Sequence, residues 1–161
     1  MGRSLRLGAL GGALVAGLLC GGVALASPRP AAARHATLTA RNRAIMADFA
    51  HRFYDLRDVR GAFERHVAPD YIQHNPNILD GREAAIAALE PKFSGKGAHF
   101  DVKRIVVDGD LAVIHLHGRT DPANAGGTVA DIYRLSHGKI VEHWDVLQPI
   151  APGALNPHPY F

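Results

Sequence analysis

The stretch VADIYRLSHGKIVEHWDVL, residues 129–147, decides the fold class. It contains two runs in which apolar and polar residues alternate, which is typical of half-buried β-strands. Ser136-His137-Gly138 lies between the runs and supplies turn residues. The pattern therefore predicts a β-hairpin with strands over 129–135 and 140–147.

The turn decides which residues of the hairpin pair. A two-residue turn at His137-Gly138 would place Asp131 opposite Trp144, whereas a three-residue loop would place Asp131 opposite His143. The two-residue turn needs positive φ at both positions, and histidine adopts that conformation less readily than asparagine or glycine. We therefore expect the three-residue loop, with Gly138 in the left-handed conformation.

This register places polar side chains together on one face of the hairpin. Because side chains alternate along a strand, Asp131, His143 and Asp145 share that face with Tyr133. A carboxylate next to an imidazole favours its protonated form and burial opposes it, so such a pair exchanges protons near neutral pH. We interpret Asp145, His143 and Asp131 as candidate catalytic residues. The alternative is that Asp131 and His143 only satisfy each other's hydrogen bonds across the strand pair.

Upstream of the hairpin the apolar spacing is helical. The pattern predicts a helix from Thr39, a second helix capped by Asp58 and ended by Pro69, and a third that begins at Asp80. A short extended piece at 71–74 and two further strands complete the chain. We expect an α+β fold with N-terminal helices packed on a curved antiparallel sheet, and a conical hollow between the two layers.

The N-terminus predicts export. Arg3 and Arg6 precede a long uncharged apolar run, and Ala24 and Ala26 are the small residues that signal peptidase requires. The alternative is an uncleaved membrane anchor, although the run is glycine-rich and prolines follow it directly. We expect a Sec-type signal peptide over 1–26, a periplasmic or secreted protein, and no membrane contact after cleavage.

The remaining chain divides into three parts: a disordered lead-in over 27–38, one folded domain over 39–150, and an irregular tail over 151–161. Cys20, the only cysteine, lies in the signal peptide, so stability must come from packing. The signal peptide carries two arginines and no acidic residue, so its removal lowers the formal net charge from +3 to +1. No basic run interleaves with aromatic residues, which argues against nucleic acid as a partner.

Several motifs resemble one known family. They are DIYRL at 131–135, GKIV at 138–141, EHWDV at 142–146, YIQHNP at 71–76 followed by Asp80-Gly81, and NPHPYF at 156–161. In this order and spacing they resemble an exported subgroup of the SnoaL-like polyketide cyclases, over about residues 44–161. The resemblance implies the cone-shaped α+β barrel shared with nuclear transport factor two (NTF2), scytalone dehydratase and ketosteroid isomerase, and a homodimer formed through the sheet.

The resemblance also implies a chemistry. Family cyclases close a ring by an intramolecular aldol reaction without a metal or cofactor, so no cofactor is expected here. Asp145 lies at the position of their acid/base aspartate, and Asp131 at the position of a polar residue that lines their pocket. Asp131 also matches the protonated acid that stabilises an enolate in ketosteroid isomerases. Asn75 falls near the general base of those isomerases, and His143 would shuttle or orient protons.

Other residues are candidates for substrate contact. His74 and Gln73 point to opposite sides of their short strand, so only one of them faces the hollow. His115 and His117 share a strand face and could bind substrate or, together with His143, a metal ion; the simpler interpretation is that they lie on a half-polar strand face. Tyr133, Phe53 and Asn75 complete the predicted substrate contacts.

The expected function is proton transfer of aldol, cyclase or isomerase type on a small, largely apolar carbonyl compound. The first alternative is a protein of the same fold that only binds a small ligand. A histidine-ligated metal site is the second alternative.

Overall fold

The computed structural model describes residues 30–161, so the predicted signal peptide and residues 27–29 lie outside the described part. The elements in chain order are α1 (Ala31–Ala50), a π-helical turn (His51–Asp55), α2 (Val59–His66), β1 (Val67–Gln73), α3 (Arg82–Phe93), β2 (His99–Asp108), β3 (Leu111–Arg119), β4 (Gly127–Ser136) and β5 (Lys139–Pro149). No helix within 30–161 is both long and apolar enough to cross a bilayer.

The five strands form one open, mixed sheet in the order β1-β5-β4-β3-β2. Strands β2 to β5 pair antiparallel as the meander predicted from sequence, whereas β1 pairs parallel to β5. The expectation of a purely antiparallel sheet is therefore wrong at one edge. A parallel neighbour needs a long crossover connection, and the chain supplies it through α3 and the first three strands of the meander.

Helix α1 begins eight residues earlier than expected, at Ala31. Residues 31–38 are therefore helical and not part of a disordered lead-in. Alanine-rich sequence favours helix, and this segment also docks on the β2–β3 turn. Thr39 Oγ1 accepts a hydrogen bond from the Gly109 backbone N–H at 2.9 Å, and His35 Nε2 lies 2.6 Å from Asp108 Oδ1.

The second helix begins where it was predicted to begin but ends earlier than predicted. Asp58 caps it, since its Oδ1 accepts a hydrogen bond from the Gly61 N–H at 3.0 Å. The helix ends at His66, however, and Pro69 lies within β1. An edge strand tolerates proline because one side of it needs no backbone donor. Asp80 does not cap α3; its Oδ1 accepts from the Gln73 backbone N–H at 2.7 Å.

The β4–β5 turn differs from the expected loop. His137 and Gly138 have φ values of 49° and 82°, so the turn has two residues and both are left-handed. A bulge follows at once, because Leu135 pairs with Ile140 whereas Arg134 pairs with Glu142.

As a result neither register considered from sequence is correct. Asp131 lies opposite Asp145, and Tyr133 lies opposite His143. The two-residue turn alone would place Asp131 and His143 on opposite faces of the hairpin. The extra residue of the bulge shifts the alternation of β5 by one position and returns all four side chains to one face.

An aromatic cluster forms the core between the helices and the inner sheet face. Phe53 stacks on Phe49 with ring centroids 5.2 Å apart and on Phe93 at 4.3 Å, and Phe93 stacks in turn on Phe100 at 4.0 Å. Burying one such side chain completely contributes about 1.5–3 kcal/mol. This cluster surrounds a hollow that packing does not fill.

Candidate functional site

A cavity of about 500 Å³ lies between the helices and the inner face of the sheet. Aromatic and aliphatic side chains form most of its wall, among them Phe53, Phe63, Phe93, Phe100 and Leu116. Polar side chains from β1, β4, β5 and the segment after β1 meet on one part of this wall. A few polar groups placed in an apolar cavity are typical of small-molecule sites.

Asp131 is the carboxylate at the centre of these polar groups and is only 8 % exposed. Its Oδ2 accepts a hydrogen bond from the Tyr54 hydroxyl at 2.6 Å, and its Oδ1 lies 3.0 Å from His143 Nε2. Because the Tyr54 hydroxyl donates its hydrogen to Asp131, its oxygen accepts a hydrogen bond from the Tyr133 hydroxyl, whose oxygen lies 2.8 Å away. Both carboxylate oxygens of Asp131 are thus engaged.

Gln73 determines which nitrogen of His143 carries a proton. Its Oε1 accepts the backbone N–H of Asn75 at 2.9 Å, and a backbone N–H is always a donor, so the atom at that position must be the amide oxygen. The same Oε1 lies 2.9 Å from His143 Nδ1. His143 Nδ1 must therefore be protonated, whereas its Nε2 faces Asp131.

The Asn75 side chain orients Asp145. The Asn75 Oδ1 accepts the backbone N–H of Asn77 at 2.9 Å, which identifies the other side-chain atom as Nδ2, and this group donates to Asp145 Oδ2. Among the residues from 30 onward, no hydrogen-bond donor contacts Asp145 Oδ1. Asp145 therefore presents one carboxylate oxygen to the cavity.

Tyr71 and Tyr133 pack on the imidazole and Tyr54 contacts Asp131, and all three tyrosines remain protonated. The His143 ring lies between the rings of Tyr133 and Tyr71, with centroid distances of 4.8 and 6.5 Å. Burial, together with the charge of Asp131, raises the pKa of Tyr54, Tyr71 and Tyr133 well above the ordinary value. The Tyr71 oxygen accepts from Gln73 Nε2 at 3.1 Å, so its own proton is available to the cavity.

The same residues are the candidate metal ligands. Asp131, His143 and Asp145 each offer one ligand atom, and these atoms all lie within 4.8 Å of one another. Two carboxylates and an imidazole suit several divalent ions. The alternative set considered from sequence, His115 and His117 with His143, is not brought together, because the first two lie on the opposite face of the sheet.

The structure separates the remaining candidates into two groups. Gln73, Asn75, Tyr133 and Phe53 line the cavity. Three histidines do not line it: His74, His115 and His117.

The outward position of these histidines follows from strand alternation. His115 and His117 flank the inward Leu116; His115 Nε2 lies 2.7 Å from Thr128 Oγ1, and His117 stacks on Phe161. His74 follows the inward Gln73 and stacks on Trp144, with ring centroids 4.7 Å apart.

Sequence analysis missed Tyr54 and Tyr71 as members of the site. Phe53 and Tyr54 are both buried in the π-helical turn, where the Leu56 N–H reaches back to the His51 carbonyl at 3.0 Å. Tyr71 belongs to the YIQHNP motif, and its alternation with Gln73 is a signal that could have identified it.

Helices packed on a curved open sheet, with an apolar cavity between the two layers, define the NTF2-like class of α+β cone folds. Residues 46–143 match the SnoaL-like domain family. Because this match covers more than half of the chain, the chain belongs to that family. No curated protein matches this chain.

Solved structures of the class align over about two thirds of the chain. TsrD from Streptomyces laurentii is 25 % identical, with a TM-score of 0.54 over 67 % of this chain and 88 % of TsrD. An NTF2-like protein of unknown function from Burkholderia xenovorans is 20 % identical, with a TM-score of 0.61 over 73 % and 91 % of the two chains. A protein from a Jannaschia species, provisionally named a SnoaL-like polyketide cyclase, is 19 % identical, with a TM-score of 0.52 over 68 % and 87 %.

Proposed function

We propose that the cavity catalyses proton transfer on a small, largely apolar carbonyl compound, by aldol closure or isomerisation and without a cofactor. The observation that carries this proposal is Asp145. Asn75 fixes one of its carboxylate oxygens, and the other oxygen is directed to an apolar cavity next to Asp131 and His143. A carboxylate held in such surroundings is suited to act as a general base.

The proposed reaction is balanced in protons and electrons. Asp145 removes a proton from the carbon next to a carbonyl group, and the carbonyl becomes an enolate. The enolate carbon bonds to a second carbonyl carbon of the same molecule, and the resulting alkoxide recovers the proton from Asp145. In an isomerisation the proton returns to a different carbon instead. No step needs an oxidant or a reductant.

The surrounding residues have distinct proposed roles. The Tyr71 hydroxyl donates to the enolate oxygen, because it is protonated, lines the cavity and has its proton available. His143 shuttles or orients protons next to the reacting group. Asp131 fixes His143 and is not available to the enolate, since both of its oxygens are engaged.

The test uses hydrogen–deuterium exchange on a panel of aryl ketones and β-diketones in D₂O, followed by proton NMR. The wild-type protein should accelerate exchange at the α-carbon, and Asp145→Asn should reduce that rate by about 10²–10⁴-fold while remaining folded. Asp70→Asn, a matched change at an exposed carboxylate outside the cavity, should have no effect. The rate should not change with EDTA.

Two outcomes would contradict the proposal. Equal exchange rates for the wild type and Asp145→Asn would remove Asp145 from the mechanism. Binding of these probes without any exchange across the panel would favour the ligand-binding alternative.

Export and dimerisation are further parts of the proposal. Cleavage after Ala26 is supported by the sequence of residues 1–26 and is tested by N-terminal sequencing of the protein from culture medium or periplasm.

A homodimer through the outer sheet face is supported by the cross-strand row of Val106, Val113, Ile132 and Trp144. Sedimentation velocity should give a dimer for the wild type and a monomer for Ile132→Asp.

A further inference from the structure

The two ends of the cavity differ in charge. The acids and the imidazole lie at one end, whereas Lys92 and Arg119 line the cavity elsewhere, together with Thr120 and Asn124. In the described chain, residues 30–161, no carboxylate forms an ion pair with either cation. The Arg119 Nε is buried and lacks a hydrogen-bond partner within the same residues. A buried guanidinium nitrogen without an acceptor is unfavourable, so the protein itself does not fully satisfy Arg119.

Strand register gives the separation of the two ends. Along β4, Gly127 lies four residues from Asp131, which corresponds to about 13 Å. Gly127 pairs with Gly118 on β3, and Arg119 is the next residue. Asp131 itself lies opposite Asp145. Since the side chains extend from these backbone positions, a ligand shorter than this distance could contact both ends.

Asn124, one of the two uncharged polar residues at this end, offers a donor. Asn124 Oδ1 accepts the Gly126 N–H at 2.9 Å, so its remaining side-chain group is the NH₂. The nearest acid in sequence, Asp121, uses its Oδ1 to accept the Ala123 N–H at 2.9 Å. Donors and cations at this end therefore select a ligand group that is an anionic acceptor.

We infer that the cavity takes amphiphilic carboxylates, with the ligand carboxylate held by Arg119 and Lys92 and an apolar body along the aromatic wall. Arginine binds a carboxylate through two parallel N–H donors, which suits the Arg119 side chain. Combined with the proposed function, on which this step rests, the substrate class is a keto acid. Its reacting carbonyl lies at Asp145, and its carboxylate lies at the opposite end of an apolar spacer.

The test compares two probes of the same apolar chain, decanoate and methyl decanoate, by isothermal titration calorimetry at pH 7.5. The wild type should bind decanoate at least about tenfold more tightly, since a hydrogen-bonded ion pair at a half-buried site has that order of effect. The double variant Lys92→Gln, Arg119→Gln should bind both probes with equal affinity. Lys96→Gln removes one positive charge from the neighbouring loop without changing the cavity wall and should retain the wild-type preference.

Three results would overturn this inference: equal affinity of the wild type for both probes, no binding of either probe, or a preference for decanoate that survives the double variant. The last result would mean that the carboxylate binds at the His143 end. These results are independent of the exchange assay on Asp145→Asn, so the two proposals can fail separately.

Discussion

Replacing Gln73 by leucine should disturb both the protonation of His143 and the stability of the fold. The Gln73 Oε1 accepts from His143 Nδ1 and from the Asn75 N–H, each at 2.9 Å, and leucine accepts from neither. The His143 donor is buried, whereas the Asn75 N–H belongs to a partly exposed segment that water reaches. One orphaned buried donor costs about 1–3 kcal/mol. For a domain of this size that loss lowers Tm by about 3–10 °C.

The protonation effect is measured on ¹⁵N-histidine-labelled protein by long-range ¹H–¹⁵N NMR. In the wild type, His143 Nδ1 should give the signal of a protonated nitrogen at every pH from 5 to 9, because Gln73 offers it only an acceptor. In Gln73→Leu the neutral ring should carry its proton on Nε2 at high pH, where it donates to Asp131. The matched control is Gln148→Leu, the same change at an exposed position of β5.

Two results would refute this reasoning. An unprotonated Nδ1 in the wild type at high pH would show that Gln73 does not hold a proton there. An equal Tm for the wild type, Gln73→Leu and Gln148→Leu would show that the hydrogen bond contributes nothing to stability.

Three further predictions concern stability. Tyr54→Phe removes the hydroxyl that donates to buried Asp131 at 2.6 Å and should lower the free energy of unfolding by about 1.5–3 kcal/mol in urea titrations; an unchanged urea midpoint would contradict it. The His66 hydrogen bond lowers the pKa of Asp48 from 3.8 to about 2, so its contribution is complete above pH 3.8 and is lost as the pH falls towards 2. The difference in urea midpoint between the wild type and Asp48→Asn should therefore shrink over that interval, and a constant difference would rule out this linkage. His137→Asn places a residue suited to positive φ in the turn and should raise stability by about 0.5–1 kcal/mol, measured by thermal unfolding; a lower Tm would argue against strain at this position.

Much of the architecture follows from local patterns. The alternation over 129–147 predicts the hairpin, and the three- and four-residue spacing upstream predicts helices. Asp58 is a cap because an acidic side chain before a helical run binds the free N–H groups of the first turn. The start of α1 is different, because His35, within residues 31–38, also contacts Asp108 at the distant β2–β3 turn.

Four candidate residues share one face of the hairpin, as expected, but through a different turn from the one expected. The grouping of Asp131, Tyr133, His143 and Asp145 on one face was expected from a three-residue loop. The structure has a two-residue turn and a bulge, which together shift the register by two positions. An even shift leaves the side-chain alternation intact.

The sequence by itself determined that Asp131 and Tyr133 share a face of β4 and that His143 and Asp145 share a face of β5, because alternation is a property of each strand. The turn and its bulge decided that these two faces coincide. Tertiary structure decided which partners orient them. Tyr54 meets Asp131 from 77 positions away, and Gln73 and Asn75 meet His143 and Asp145 from 70 positions away. These contacts depend on a π-helical turn and on β1 lying parallel to β5. Both arise from packing between distant segments, which local periodicity does not encode.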